Sequence, residues 1–302
     1  MPKTFTVSKD YNNCRFDRWF KLNIGKYPQS LIERLIRKKK IKVNKKRIKT
    51  SYRVKLNDKI DIYEIENLKP SKINKIEKYK PSNKEKKNYE DFIIEDNENF
   101  IVINKPSGIP VQSGTKSFKN IIDILRETKY FLDSKPYIVH RLDKETSGIM
   151  IVAKNREYAQ FFTSLFRIRK IHKTYLAITQ GRVNKDIKIL RDELTFYDNN
   201  KKVVQKAISY LKIIRSNDKN SFLELKPITG RKHQLRKQLY NIRNPIVGDD
   251  KYFINRKVNK KRIKGKNLML HAYKIKFMIN NIQYNFKAEY NKDFEKFLKR
   301  QF

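Results

Sequence analysis

Apolar positions along the chain fall into two patterned regions separated by a polar one. In the first, residues 14 to 64, Phe16, Trp19 and Phe20 stand at helical spacing behind Arg15, and the pattern restarts after Pro28. Ser30 with Glu33 three residues on has the spacing of a capping box and predicts a helix over 31–37. Ile41 and Val43 then alternate with lysines as in a strand with one wet face, and Asn57-Asp58 precedes a last strand over 59–63. From Asn67 to Tyr89 apolar residues thin out among Lys, Ser, Asn and Pro, the composition of a tether whose lysines could also track a phosphate backbone.

A second apolar pattern opens at Asp91. Phe92 to Ile94 and Phe100 to Ile103 flank a polar turn and predict a hairpin, followed by a helical stretch over 117–128. Tyr137-Ile138-Val139 leads into the polar cluster His140-Arg141-Leu142-Asp143-Lys144-Glu145-Thr146-Ser147, and Gly148 releases the chain into an apolar run to Ala153, giving strand, polar turn, strand. Tyr158, Phe161, Phe162, Leu165, Phe166 and Ile168 then form a thick helical face, read as core. Strands are expected at 172–178, 203–214 and 221–225, with a long polar hairpin over 182–202. A helix over 231–242 capped by Thr229, a lysine-rich surface insertion at 255–267, strands at 273–278 and 282–286 and a closing helix from Asp293 complete the chain. The expected division is 1–66, a tether over 67–90, and one larger domain over 91–302.

Charge narrows the class of partner. Lys and Arg number 72 against 31 Asp and Glu, a formal charge of +41, so a polyanion is the expected ligand. A sequence crowded with Lys, Ile, Asn and Tyr also fits an AT-biased genome, which accounts for part of the excess. The single cysteine, Cys14, excludes an intramolecular disulfide and a cysteine-based zinc cluster, and the four histidines lack metal-ligand spacing, so no metal is expected. The opening MPKTFTVSKD lacks the apolar core of a signal peptide, and no run approaches the roughly 20 apolar residues of a membrane span. A soluble, cytoplasmic protein with no membrane partner is expected.

Taken alone, Arg141 and Asp143 fit a solvated hairpin tip as well as a site. The full string His-Arg-Leu-Asp-x-x-Thr-Ser-Gly, followed by an apolar strand and Ala-Lys, resembles the catalytic motif of the large-ribosomal-subunit pseudouridine synthases. Lys105-Pro106-Ser107-Gly108 resembles the first motif of the same family, Lys173-Thr174-Tyr175-Leu176-Ala177 a second, and Thr229-Gly230-Arg231 through Arg236 a third. Val111-Gln112-Ser113-Gly114-Thr115 after the first motif narrows the likeness to one branch of the family. Residues 14–64 are similar to the alpha-L RNA-binding module, although Lys39, Lys45 and Asn57 stand where that module usually has glycine. Only eight glycines occur where average usage of about 7% would give roughly 21. Five of them, Gly108, Gly114, Gly148, Gly230 and Gly248, lie in or beside these segments.

The resemblance implies an α+β fold built on a mixed, largely antiparallel extended sheet flanked by helices, with a small amino-terminal RNA-binding module. It implies isomerisation of uridine to pseudouridine in large-subunit ribosomal RNA, with Asp143 as nucleophile, Arg231 paired to it and Tyr175 in the active site. By spacing alone Tyr175 is an ordinary strand tyrosine. Arg141, Lys105 and Arg236 are candidate RNA contacts in the large domain, and Lys38, Lys40, Lys42 and Arg47 in the module. An isomerisation needs no cofactor, and no protein partner is evident, so a monomer is expected. A transfer-RNA enzyme of the same family and a non-catalytic RNA-binding ribosome-assembly factor are the alternatives.

Overall fold

The computed structural model describes residues 2–25, 27–64, 66, 79–113, 119–198, 201–253 and 267–302. The chain divides into two compact units, 1–77 and 78–302. Gly114 and most of the expected insertion at 255–267 lie outside the described residues, as does most of the tether.

In the first unit, β1 (Lys3–Thr6), β2 (Cys14–Arg15), α1 (Phe16–Asn23), α2 (Gln29–Arg37), β3 (Ile41–Val43), β4 (Arg53–Val54) and β5 (Lys59–Ile62) follow in order. β5 lies between β1 and β3 in one small antiparallel sheet, and β2 pairs β4 in another. Helix α1 buries Phe16, Trp19 and Phe20, and α2 buries Ile32, Leu35 and Ile36, the i, i+3, i+4 stripes that pack on these sheets. Strand β1 carries no distinctive pattern and is visible only in its pairing. Helix α2 begins two residues earlier than the Ser30 cap predicts, behind Pro28 and without a side-chain cap.

Lys39, Lys45 and Asn57 all adopt left-handed backbone, with φ of 59°, 62° and 65°. The turns that glycine would make are therefore kept by residues carrying a Cβ. A lysine in this region is strained by roughly 1–2 kcal/mol, and glycine returns about 0.5–1 of that as lost unfolded-state entropy. Lys39→Gly and Lys45→Gly should each stabilise this unit by up to about 1 kcal/mol. Trp19, the only tryptophan and buried here, reports that transition by fluorescence; an unchanged or lowered midpoint would sink the idea.

The second unit starts inside the stretch expected to be a tether. Ser82 and Glu85 form a reciprocal capping box on α3 (Asn83–Glu90), and Glu85 also pairs with Lys119 and accepts from Tyr79. Its main sheet then assembles from β6 (Ile93–Asp96), β7 (Phe100–Lys105), β8 (Tyr137–Ile138), β9 (Ser147–Ala153), β10 (His172–Gln180), β11 (Ile189–Asp198), β12 (Lys201–Ser216), β13 (Asn220–Pro227), β14 (Leu270–Ile279) and β15 (Ile282–Lys287). The order is β11-β12-β13-β10-β14-β9-β7-β6, with β8 also on β9 and β15 on β14. The fold is α+β. Among the described residues every ladder is antiparallel except β14–β9, where His271 faces Ser147 and Ala272 faces Gly148.

All seven residues of β9 are buried, which is why that strand reads as an unbroken apolar run and sits in the middle of the sheet. Helices α4 (Ile121–Arg126) and α5 (Arg156–Arg167) are capped by Asn120 and Asn155, and α6 (Gln234–Asn241) and α7 (Lys292–Gln301) complete the unit. Two cores result. One gathers Phe100, Phe162 and Phe277 around β7, β9 and α5; the other gathers Leu223, Leu225, Leu239 and Phe294 around β10, β13, α6 and α7. Burying each such side chain contributes about 1.5–3 kcal/mol. The α5 stripe is core only in part: Phe161 and Ile168 are exposed, and Phe166 borders a cleft.

Candidate active site

Asp143 lies in the loop between β8 and β9, and the loop is clamped from below. Lys105, at the end of β7, is fully buried and its ammonium donates to the carbonyls of Pro106 (2.8 Å), Ile109 (2.8 Å) and Lys144 (3.1 Å). Ser107 Oγ donates to the Glu145 carbonyl at 2.7 Å, and the Gly108 amide to the Lys144 carbonyl at 3.0 Å. Burial pushes the Lys105 pKa down to about 7, while three carbonyl acceptors, one for each N–H, favour the charged form. The expectation that Lys105 contacts phosphate is therefore corrected: it is sealed beneath the loop and holds the backbone around Asp143.

Behind the loop, Ser147 Oγ donates to His271 Nδ1 at 2.9 Å, and His271 Nε2 donates to the Ala288 carbonyl at 2.9 Å. Burial pushes the His271 pKa down to about 4, so it is neutral in this pair. His140 lies against Phe166, ring centroids 4.5 Å apart, and its Nε2 accepts from the Ile151 amide at 2.9 Å. Burial and then the nearby Lys173 charge take its pKa to about 3. Both histidines are structural supports for the hairpin.

The Asp143 carboxylate opens into a cleft of about 1170 Å³ bordered also by Tyr175, Phe166, Arg231, His233 and Arg236. His233 Nε2 lies 3.7 Å from Asp143 Oδ1, and Arg236 Nη1 lies 3.9 Å from Oδ2. Arg236 is held from the other side: Nε and Nη2 each donate to Asp249 at 2.7 Å, Nη2 reaches Asp250 at 3.2 Å, and the guanidinium sits 5.3 Å from the Tyr252 ring centre. Tyr252 OH is in turn 3.0 Å from His233 Nδ1.

Two expectations are corrected here. Arg231 was expected to pair with Asp143, but its Nε donates to the Lys206 carbonyl at 3.2 Å and its side chain is at the cleft rim. Arg236, expected to bind phosphate, has a side chain only 5% exposed and is the arginine beside Asp143. The cause is where the helix begins. Thr229 does not cap it: its hydroxyl donates to Gln234 Oε1 at 2.7 Å, and the Arg231 amide donates to the same oxygen at 3.0 Å. Residues 229–233 are thereby folded ahead of the helix, His233 takes a left-handed φ of 54°, and α6 starts at Gln234. Arg236 then points inward from the first turn, while Arg231 precedes the helix altogether.

Tyr175, on β10 opposite Ala272 and Leu225, shares the cleft with Asp143. Burial, then the negative charge of Asp143, raises its phenol pKa well above the ordinary value. Burial also pushes the His233 pKa down, against the pull of Asp143. The cleft walls carry nine lysines and arginines and three carboxylates, and Arg141 is exposed among them. Such a wall suits a polyanion. His233, Asp249 and Tyr252 were not assigned roles by pattern, although His233 and Arg236 stand three residues apart on the same segment. Among the described residues no cluster of three or more His, Cys, Asp or Glu is arranged to hold a metal.

In the amino-terminal unit, Lys38 and Arg47 are exposed, Lys42 lies over the Tyr63 ring at 5.6 Å, and Lys40 is already paired with Glu64. Arg47 borders a small groove with Asn44, Lys46, Lys49 and Tyr52.

The profile of the RNA pseudouridylate synthase family matches residues 99–241, which contain the cleft's principal residues, and that of the S4 domain matches residues 22–60. The chain belongs to the RNA pseudouridylate synthase family and is an isomerase. Among its relatives, ribosomal large subunit pseudouridine synthase C of Rickettsia felis is 37% identical over 254 residues, covering 80% of this chain and 82% of that protein. The protein of the same name from Buchnera aphidicola subsp. Baizongia pistaciae is 32% identical over 289 residues, covering 90% and 88%. The solved structure of human RNA pseudouridylate synthase domain containing 4 superposes with a TM-score of 0.60 at 28% identity, covering 71% of this chain and 94% of that one.

Proposed function

We propose that this chain converts uridine to pseudouridine in large-subunit ribosomal RNA, with Asp143 as the nucleophile on an extruded uridine. The observation that carries the reading is the Asp143 carboxylate, aimed into a cationic cleft, 3.9 Å from an arginine that two further carboxylates hold in place. The names of the relatives, ribosomal large subunit pseudouridine synthase C, support the RNA class. The S4 domain supports RNA binding by the amino-terminal unit, which would raise the local concentration of substrate at the cleft.

In this reading Arg236 keeps Asp143 ionised and oriented, since a neighbouring guanidinium favours the carboxylate. The carboxylate adds to the nucleotide, the C–N glycosidic bond breaks, uracil turns, and C5 bonds to the sugar as the bond to Asp143 breaks and frees the carboxylate; C5 loses a proton and N1 gains one. Atoms balance without a cofactor. Tyr175 remains a phenol, which suits it to lie against the uracil face rather than to take the C5 proton. Extruding the base costs a few kcal/mol, and the cationic wall with Arg141 at its edge would hold the deformed strand. The enzyme is taken to act as a monomer in the cytoplasm, where its substrate is; no described helix is long and apolar enough to cross a membrane.

The test is to map pseudouridines in the ribosomal RNA of cells lacking the protein, then restore wild type or Asp143→Asn. One or more large-subunit sites should vanish, return with wild type, and stay absent with the variant, whose turnover should fall more than roughly 10⁴-fold while RNA binding persists. Loss of a transfer-RNA site alone would favour the related enzyme class. Rescue of ribosome assembly by Asp143→Asn, with every site intact in the deletion strain, would point to a non-catalytic factor.

A further inference from the structure

Most cations of the cleft already have a partner or lie in open solvent. Arg236 is held by Asp249 and Asp250, Lys144 is 3.7 Å from Glu145, and Arg231 donates to the Lys206 carbonyl. Lys173 differs from all of these. It borders the cleft on β10, it is half-buried, and its ammonium has neither an ion partner nor an acceptor among the described residues. Gly230 lies beside it: a Cβ at that glycine would stand 3.8 Å from Lys173 Nζ, in van der Waals contact with the ammonium. The Gly230 amide likewise has no acceptor among the described residues.

A partly buried ammonium without a counter-charge is less well solvated than one in open water, and burial accordingly lowers the Lys173 pKa. The neighbours do not relieve this. His140, which feels the Lys173 charge, is neutral, and Gly230 brings none. A counter-charge that displaces its remaining water would come with the substrate. An RNA strand supplies one only in its phosphodiesters, because uracil and ribose are neutral.

Position says which phosphodiester. Lys173 and Tyr175 are two apart on one strand, about 6.6 Å along it, and both border the cleft although the ladder to β14 shifts register between Thr174 and Tyr175. A pyrimidine lying on Tyr175 has its own backbone phosphates at a reach of that order, across its ribose. We propose that Lys173 is the anchor for a phosphate adjoining the extruded uridine, so that it recognises the nucleotide's backbone and not its base. This rests on the reading that Asp143 acts on an extruded nucleotide in this cleft.

Lys173 would bind in the ground state and the transition state alike. Lys173→Met should therefore raise KM by roughly tenfold to a hundredfold, the range of a hydrogen bond to a charged group, and leave kcat within about threefold. Lys173→Arg should recover most of the loss. The salt dependence of RNA binding should become shallower by about 0.7–0.9 in log–log slope, one phosphate contact.

The deciding experiment pairs the enzyme with an RNA fragment carrying the mapped target uridine and with two copies of it bearing a neutral methylphosphonate, one 5′ and one 3′ of that uridine. Turnover of the unmodified fragment by wild type establishes the underlying reading on its own. The proposal then predicts that one methylphosphonate raises the wild-type KM about as much as Lys173→Met does, and that Lys173→Met loses nothing further on that fragment. It is overturned if neither linkage affects wild type, if the losses from variant and linkage add in full, or if Lys173→Met lowers kcat alone, which would assign the ammonium to the uracil. The linkage arms use unaltered protein, so no effect from either linkage overturns the proposal even if the methionine variant folds poorly, and in that case Lys173→Gln takes its place in the comparison.

Discussion

Arg236→Met is expected to lower pseudouridine formation by roughly 10²–10³-fold, whereas Arg231→Met should cost less than about tenfold. The contrast follows from what each guanidinium touches. Arg236 is the cation nearest Asp143, and its removal takes away the group that favours the carboxylate. It also strands Asp249, whose side chain is fully buried and whose opposite charge is Arg236. Breaking a buried pair from one side costs about 3–5 kcal/mol, which for a unit of this size is a fall of roughly 6–20 °C in Tm. Arg236→Lys should not rescue either property, because one ammonium cannot reproduce the two 2.7 Å bonds to Asp249. Arg231 donates to a carbonyl at the rim, so its loss should appear in KM and fade at high salt. Single-turnover rates and thermal unfolding of the three variants check this. Equal losses from Arg231→Met and Arg236→Met, with unchanged Tm, would reverse the assignment.

The second large effect is expected at Gly148. Its φ is 110°, and a Cβ there would lie 2.2 Å from the Ala272 carbonyl oxygen and 2.6 Å from the Ala272 amide nitrogen. Neither backbone atom can withdraw without parting β9 from β14, the one parallel ladder among the described strands of the sheet. Gly148→Ala should therefore cost more than about 4 kcal/mol and leave the second unit poorly folded, a size of effect seen only when a specific mechanism such as this operates. Soluble yield and the thermal transition of the second unit measure it, with Trp19 fluorescence showing the first unit still folded. A Tm within about 2 °C of wild type would contradict the close approach.

Several parts of this arrangement were legible in the sequence, for reasons that can be named. The hairpin holding Asp143 is visible because β9 is buried on both faces and so presents an unbroken apolar run. Tyr175 and Asp143 border one cleft, Tyr175 on strand β10 and Asp143 in the loop that β8 and β9 carry. The arginine was misassigned because the start of α6 depends on Gln234, whose side-chain oxygen receives both Thr229 and Arg231, and no cap rule anticipates that. The burial of Lys105 is equally hidden: a lysine before Pro-Ser-Gly carries no sign that three carbonyls will surround it. Helix α3 was lost in a lysine-rich stretch, although Ser82 and Glu85 hold the spacing that caps it. At Lys39 and Lys45 the backbone turn outlived the glycine that normally marks it.

The joint between β9 and β14 has a mechanical meaning. Asp143 hangs from the strands on one side of that joint, while Tyr175 and Arg236 belong to the other; the strands meet in two facing residue pairs and one serine–histidine contact, backed by Phe277 of β14 packed on Phe100 and Phe162. The spacing between nucleophile and partners is thus set like the gap of a pair of pliers, at the rivet. Selection for compensating changes in a crippled variant should return substitutions along β14, deep in the sheet, in preference to the rim of the jaws.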